Sequence, residues 1–134
     1  MIRVISVVHR LLYRVSRGLI GAYSGAPVLL LTTIGRKTGR SRSTPLLYFE
    51  DGANWVVVAS NAGDDRHPSW WVNLKTTPVA TIQVKRRVNR VRARGATEEE
   101  RARLWPVFVK MYANYEEYQR RTRREIPVVI LEPV

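Results

Sequence analysis

The chain has 134 residues, 45% of them hydrophobic and 25% charged, with 23 Lys and Arg against 11 Asp and Glu and a formal net charge of +12. That composition suits one globular core rather than a disordered tail, and its basic surface recruits phosphate- or carboxylate-bearing partners, so that nucleic acid, an acidic membrane face and an anionic cofactor are all open. The absence of cysteine excludes disulfides, thiolate metal sites and a thiol nucleophile; two isolated histidines, His9 and His67, give no metal-ligand spacing, so no metal is expected and any enzyme chemistry falls to a bound cofactor.

Residues 2–23 repeat Ile5, Val8, Leu12, Val15 and Leu19 at intervals of three and four, the stripe of an amphipathic helix, with Arg3, Arg10, Arg14 and Arg17 opposite. Such a helix packs on the domain, lies on an anionic membrane surface or, third, belongs to a cleaved targeting segment; its arginines interrupt any run long enough to span a membrane. "GAYSGAP" (21–27) is a linker, so the division expected is 1–25 for the helix and linker and 26–134 for the main domain. The apolar runs "PVLLL" (27–31) and "LLYF" (46–49) then flank "TTIGRKTGRSRSTPL" (32–46), which reads as a hairpin loop crowded with basic residues.

An Asp-Gly turn signal leads into a third strand, "NWVVVAS" (54–60), followed by the polar loop "NAGDDRHP". Pro68 opens a short helix, "PSWWVNLKT". "PVATIQVK" (78–85) and "VNRVRARGA" (88–96) alternate like half-exposed strands, the second placing Arg90, Arg92 and Arg94 on one face that is expected to be solvated. Thr97 and Glu100 form a capping-box signature for the next helix, which Pro106 is expected to bend or divide; Asn114 and Glu117 repeat the signature and predict a separate helix over Tyr115–Arg124. "IPVVILEPV" closes the chain as a strand. The fold class predicted is α+β: about six mostly antiparallel strands closing into a small barrel, with a leading helix and a helical insertion before the last strand.

Three features can carry chemistry. In "GRKTG", Gly35 and Gly39 free the backbone while Arg36, Lys37, Arg40 and Arg42 supply cations, an arrangement that can hold a phosphate; the spacing is not that of a P-loop, which needs a Gly-Lys pair. "ASNAG" followed by "HPSWWVNL" offers small residues where a flat ligand can approach, with Trp70 or Trp71 as a wall, although paired tryptophans more often fill a core. Tyr112, Tyr115 and Tyr118 recur at intervals of three and bring phenolic donors to one broad helical face, or simply pack.

"TTIGRKTGRSRSTPL", "VVVASNAG", "HPSWWVNL", "MYANYEEYQRRT" and "IPVVILEP", in this order over Ala26 to Val134, resemble the deazaflavin-dependent nitroreductase family, whose members use the cofactor F420. The resemblance implies a split β-barrel with F420, rather than FMN, in a groove. It implies that Lys37 and Arg42, helped by Arg36 and Arg40, bind the phosphate and polyglutamate tail, and that Thr44 and Pro45 approach the ring side. Val58, Ala59 and Ser60 would line the deazaflavin beside Trp70 and Asn73. Tyr112, Tyr115 and Tyr118 would wall the substrate side and contain the proton donor.

The activity so implied is hydride transfer from reduced F420 to a planar electrophile, a quinone first and a nitroaromatic second. The setting is a cytoplasmic protein with peripheral membrane contact through residues 2–23, as monomer or dimer. Asn61 and Ala62 depart from the family pattern, in which a basic residue can occur at the first position and a second glycine is frequent at the other. The rival reading from another class is a basic single-strand nucleic-acid-binding barrel; a third is a membrane-surface binding protein.

Overall fold

A computed structural model describes residues 27–134; the helix expected over residues 2–23 lies outside the described residues. Among the described residues, seven strands form one sheet: β1 (Val28–Ile34), β2 (Ser41–Leu47), β3 (Phe49–Asp51), β4 (Asn54–Val58), β5 (Val79–Val84), β6 (Arg87–Gly95) and β7 (Val128–Pro133). Their order is β2-β1-β5-β6-β7-β4-β3, and every adjacent pair is antiparallel. The two edge strands, β2 and β3, are neighbours in sequence, separated by Tyr48 alone. A flat sheet would hold its edges six strand spacings apart, about 29 Å at 4.8 Å each, so the sheet must curl until its edges nearly meet. This is the split barrel that the sequence implied. The strand count rises from about six to seven because the run around "LLYFE" is divided at Tyr48, which ends β2 and precedes β3.

Strict alternation sends each strand's residues to two cores. Val129 and Leu131 of β7 join Leu29, Leu31, Val57, Ile82 and Val91 on the inner face, while Val128 and Ile130 join Val56 and Val58 on the outer face. α1 (Ser69–Thr76) contributes Trp70, Trp71 and Leu74 to the inner core, and so both tryptophans fill the core as the bland reading expected. α2 (Glu98–Met111) and α3 (Asn114–Arg121) cover the outer face through Leu104, Phe108 and Tyr115.

Three local expectations are corrected. Pro106 does not divide its helix: α2 runs continuously through it. Both Pro106 and Ala102, whose carbonyl loses its helical donor, are exposed, and water can satisfy that carbonyl. Asn114 does not cap its helix; Ala113 occupies that position without a side-chain bond, and the Asn114 amide donates instead to the Tyr112 hydroxyl. The helix also ends at Arg121, with Thr122 extended at its C-terminus, so that Arg124 is free of it.

Arg94 is not a solvated member of an arginine face. It forms a two-pronged pair with Glu100 at 2.7 and 2.9 Å, and a further contact with Glu132 at 3.3 Å. Glu100 also completes the capping box with Thr97, so one carboxylate ties the start of α2 to β6. The Arg94 hydrogen bond, followed by the Thr97 amide, holds the Glu100 pKa at about 2, below the ordinary 4.5. A carboxylate depressed by folding stabilises above its unfolded pKa, and that stability disappears as pH falls through the folded value. Thermal melts should therefore show the native protein losing stability between about pH 4.5 and about 2. Glu100→Gln should melt lower at pH 7 with a flatter acid slope; an unchanged slope would remove this pair from the acid response.

Candidate active site

The residues that the sequence singled out converge on the split between the barrel's edges. Three cavities share walls and run together as one trough. The first, about 680 Å³, is lined by Arg36, Lys37, Arg42 and Thr44 with Ser69, Trp70 and Asn73. The second, about 690 Å³, shares Arg36, Thr44, Ser69 and Trp70, and continues past Val58, Ser60, Asn61, Ala62 and His67. The third is a slot of about 160 Å³ that shares Leu46, Val58, Ser60 and Ala62 and ends against Pro45, Tyr115 and Tyr118. Together they make a groove with a cationic end, a middle and a phenolic end.

Strand β2 forms one bank. Consecutive residues of both parities, Ser41 to Thr44 at the first cavity and Pro45 to Leu47 at the third, line the trough, so β2 presents its edge rather than a face. An edge strand leaves backbone groups unpaired by the sheet, and they are offered here to whatever occupies the groove. Pro45 removes a donor from that edge, which also discourages pairing with another strand.

The cationic end is built by the β1–β2 connection. Gly35 and Arg40 close it, the Gly35 amide donating to the Arg40 carbonyl at 2.8 Å and the Gly39 amide to the Gly35 carbonyl at 2.8 Å. Gly39 sits at φ 72°, which favours glycine, and a Cβ on Gly35 would come within a tight 3.1 Å of the Arg40 carbonyl. Asn73, only 3% exposed, pins this loop to α1: its Oδ1 accepts from the Arg36 amide at 3.2 Å and from Arg36 Nη1 at 2.9 Å, while its Nδ2 donates to Thr33 Oγ1 at 3.2 Å. Asn73 therefore shapes the cationic end by fixing Arg36.

Among the described residues, no carboxylate lies within ion-pair reach of Arg36, Lys37, Arg40 or Arg42; the ion pairs lie elsewhere. Uncompensated cations around a concave wall form the donor set for an anion with several charges. The deazaflavin cofactor has a phosphodiester and carboxylates at one end and a flat ring at the other, and the trough's residues fit that asymmetry.

At the phenolic end, Tyr115 is buried in a cluster with Trp105, Phe108, Tyr112 and Tyr118, whose ring centroids lie 5.6 to 6.4 Å from its own. Tyr118 lines the slot beside it. Tyr112 stands behind, its hydroxyl 3.4 Å from that of Tyr118.

Three sequence-predicted residues do not line the trough. Arg40 turns its backbone to the loop closure, Ala59 is fully buried, and Tyr112 packs behind Tyr115 and Tyr118.

The middle of the trough has a feature that composition and spacing did not reveal. Asn61, Ala62 and Gly63 stand consecutively at φ 47°, 53° and 82°. Two non-glycine residues in the left-handed region are held there only by what surrounds them. Arg124 surrounds them: its guanidinium donates to the carbonyls of Ala59 (3.3 Å), Ser60 (2.8 Å) and Asp64 (2.9 Å), and lies 3.2 Å from His67 Nδ1. Thr122 adds a bond to Asp65 at 2.9 Å. No local signal could have found this clamp, because Arg124 lies about sixty residues from its partners.

Residues 6–133 match the family described as F420H(2)-dependent quinone reductase. The chain is 43% identical over 128 residues to an F420H(2)-dependent quinone reductase of Mycobacterium tuberculosis (strain ATCC 25618 / H37Rv), covering 92% of this chain and 86% of that one. The structure superposes on that of an F420-H2 dependent reductase, FDR-A, with a TM-score of 0.72 at 41% identity, over 79% of this chain and 94% of the other. A solved domain-swapped dimer matches with the same TM-score and identity, over 79% of this chain and 80% of that chain.

Proposed function

The chain belongs to the F420H(2)-dependent quinone reductase family, and from that membership we propose that it binds F420 along the trough and reduces a quinone placed at the phenolic end. The observation that carries the placement is the polarity of the groove: unpaired cations at one end, small residues and Trp70 in the middle, and tyrosines at the other. Lys37 and Arg42, with Arg36 fixed by Asn73, hold the anionic tail. The edge of β2 and the loop after β4 hold the ring between them.

When bound, the reduced deazaflavin supplies a hydride. The chain's residues supply alignment, a dry wall and a proton. Alignment of two flat groups in a narrow slot can remove roughly 7 to 11 kcal/mol of a barrier in favourable cases, so no activated nucleophile is required. Quinone reduction also takes up a proton; Tyr118 Oη is placed to give it, with Tyr112 Oη, 3.4 Å behind, placed to replace it. Nitroaromatics are flat acceptors of similar breadth and are proposed as secondary substrates. Peripheral membrane contact through residues 2–23 stays part of the proposal because quinones are commonly lipid-soluble; among the described residues, no helix is long and apolar enough to cross a membrane.

Titration of the purified protein with oxidised F420, followed by the cofactor's own fluorescence with FMN in parallel, tests the reading. Saturable binding of F420 and weak binding of FMN are expected, as is faster oxidation of F420H2 by a quinone than by a nitroaromatic. Tighter binding of FMN would redirect the assignment to flavin-dependent split barrels.

A further inference from the structure

Arg124 has only donors, so the contact between its guanidinium and His67 Nδ1 at 3.2 Å fixes the state of the ring: Nδ1 must accept, and the imidazole carries its proton on Nε2. The same guanidinium is anchored by the carbonyls of Ala59, Ser60 and Asp64, so it cannot follow a rotating histidine. Burial, then the neighbouring charges of Arg124 and Lys75, lower the His67 pKa and keep the ring neutral. His67 lines the middle of the trough, and among the described residues no protein partner takes its Nε2–H.

A histidine serving only to close the loop would need its Nδ1 contact and nothing more. Here a permanently charged side chain spends its fourth contact on setting a tautomer, and His67 lines the cavity proposed to hold the ligand. We propose that His67 is a binding residue that donates its Nε2–H to an acceptor oxygen of the group bound in the middle of the trough, and that Arg124 is the positioning residue that keeps the ring in that form. The identity of the ligand as F420 rests on the function proposed above; the tautomer does not.

Two substitutions separate the two nitrogens. His67→Asn places an acceptor near Nδ1 and loses the outer donor, whereas His67→Gln places an amide N–H near Nε2. His67→Asn should weaken F420 binding about tenfold with an unchanged melting temperature, and His67→Gln should recover most of that loss. Nitrogen NMR of the full chain, with the ring assigned by its disappearance in His67→Asn, should show wild-type His67 protonated at Nε2 alone. Arg124→Gln should convert the ring to a mixture of tautomers.

Wild-type binding by His67→Asn, or a wild-type proton on Nδ1, would overturn the proposal. Failure of the wild type to bind F420 would instead sink the functional reading and the ligand contact with it, while the NMR result would still decide whether Arg124 sets the tautomer.

Discussion

Replacing Lys37 and Arg42 together by alanine is expected to weaken F420 binding about a hundredfold while leaving the melting temperature within about 2 °C of the parent. Both side chains line the cationic cavity, and neither is tied to a carboxylate among the described residues, so their removal breaks no native bond. A charge-assisted hydrogen bond contributes roughly 1.5 kcal/mol or more, and two of them give the factor. Because the sites are exposed, the loss should be largest at low ionic strength and shrink as salt screens the parent. Equal affinities measured by fluorescence titration at low salt would remove both residues from the site. Arg40→Ala makes a useful contrast, since Arg40 does not line the cavity, and a much smaller effect is expected.

Gly63→Ala should be the most damaging single methyl in the described chain. The residue sits at φ 82°, and the added Cβ would lie 2.8 Å from the Tyr118 carbonyl oxygen and 2.9 Å from its Cα. Both neighbours are backbone, so α3 itself must move. Left-handed backbone and a backbone clash together cost on the order of 2 to 4 kcal/mol, equivalent to roughly 10 °C in melting temperature for a domain of this size.

The consequence for the site is specific: α3 bears Tyr115 and Tyr118, so the slot should widen and quinone reduction should fall further than F420 affinity. Melting curves and a comparison of kcat with the cofactor Kd check it. A variant that melts like the parent would show that the close approach is not maintained in solution.

Gly63 also explains why the phenolic wall can stand beside the cofactor loop. The loop between β4 and α1 approaches the backbone of α3 more closely than any side chain would permit. Arg124, just beyond α3, then reaches back to clasp the same loop. The ring side and the substrate side of the proposed site are therefore one packed unit rather than two banks free to drift. The departure from the family pattern at Ala62 acquires a physical meaning as well: the position demands φ 53°, which glycine adopts without cost and alanine adopts only under such a clasp.

What the sequence determined by itself was what neighbours in the chain encode. The apolar run Val128, Val129, Ile130 and Leu131 fixed a closing strand; Thr97 and Glu100 fixed a helix start; Gly35 and Gly39 among four cations fixed a loop able to face an anion. The family resemblance added the cofactor and the tyrosine wall, and the matching of residues 6–133 agrees with the family.

Only the tertiary structure decided how these pieces face one another. That the edges of the sheet come together at Tyr48, that Asn73 grips Arg36 across 37 residues, and that Arg124 sets the ring of His67 across 57, are consequences of how the sheet curls. It also decided that Pro106 stays inside a continuous helix and that Asn114 is no cap, its amide taken by the Tyr112 hydroxyl. Periodicity and turn chemistry act over a few residues and leave their mark in the sequence. The closing of a barrel depends on contacts between distant segments, whose register no short stretch contains.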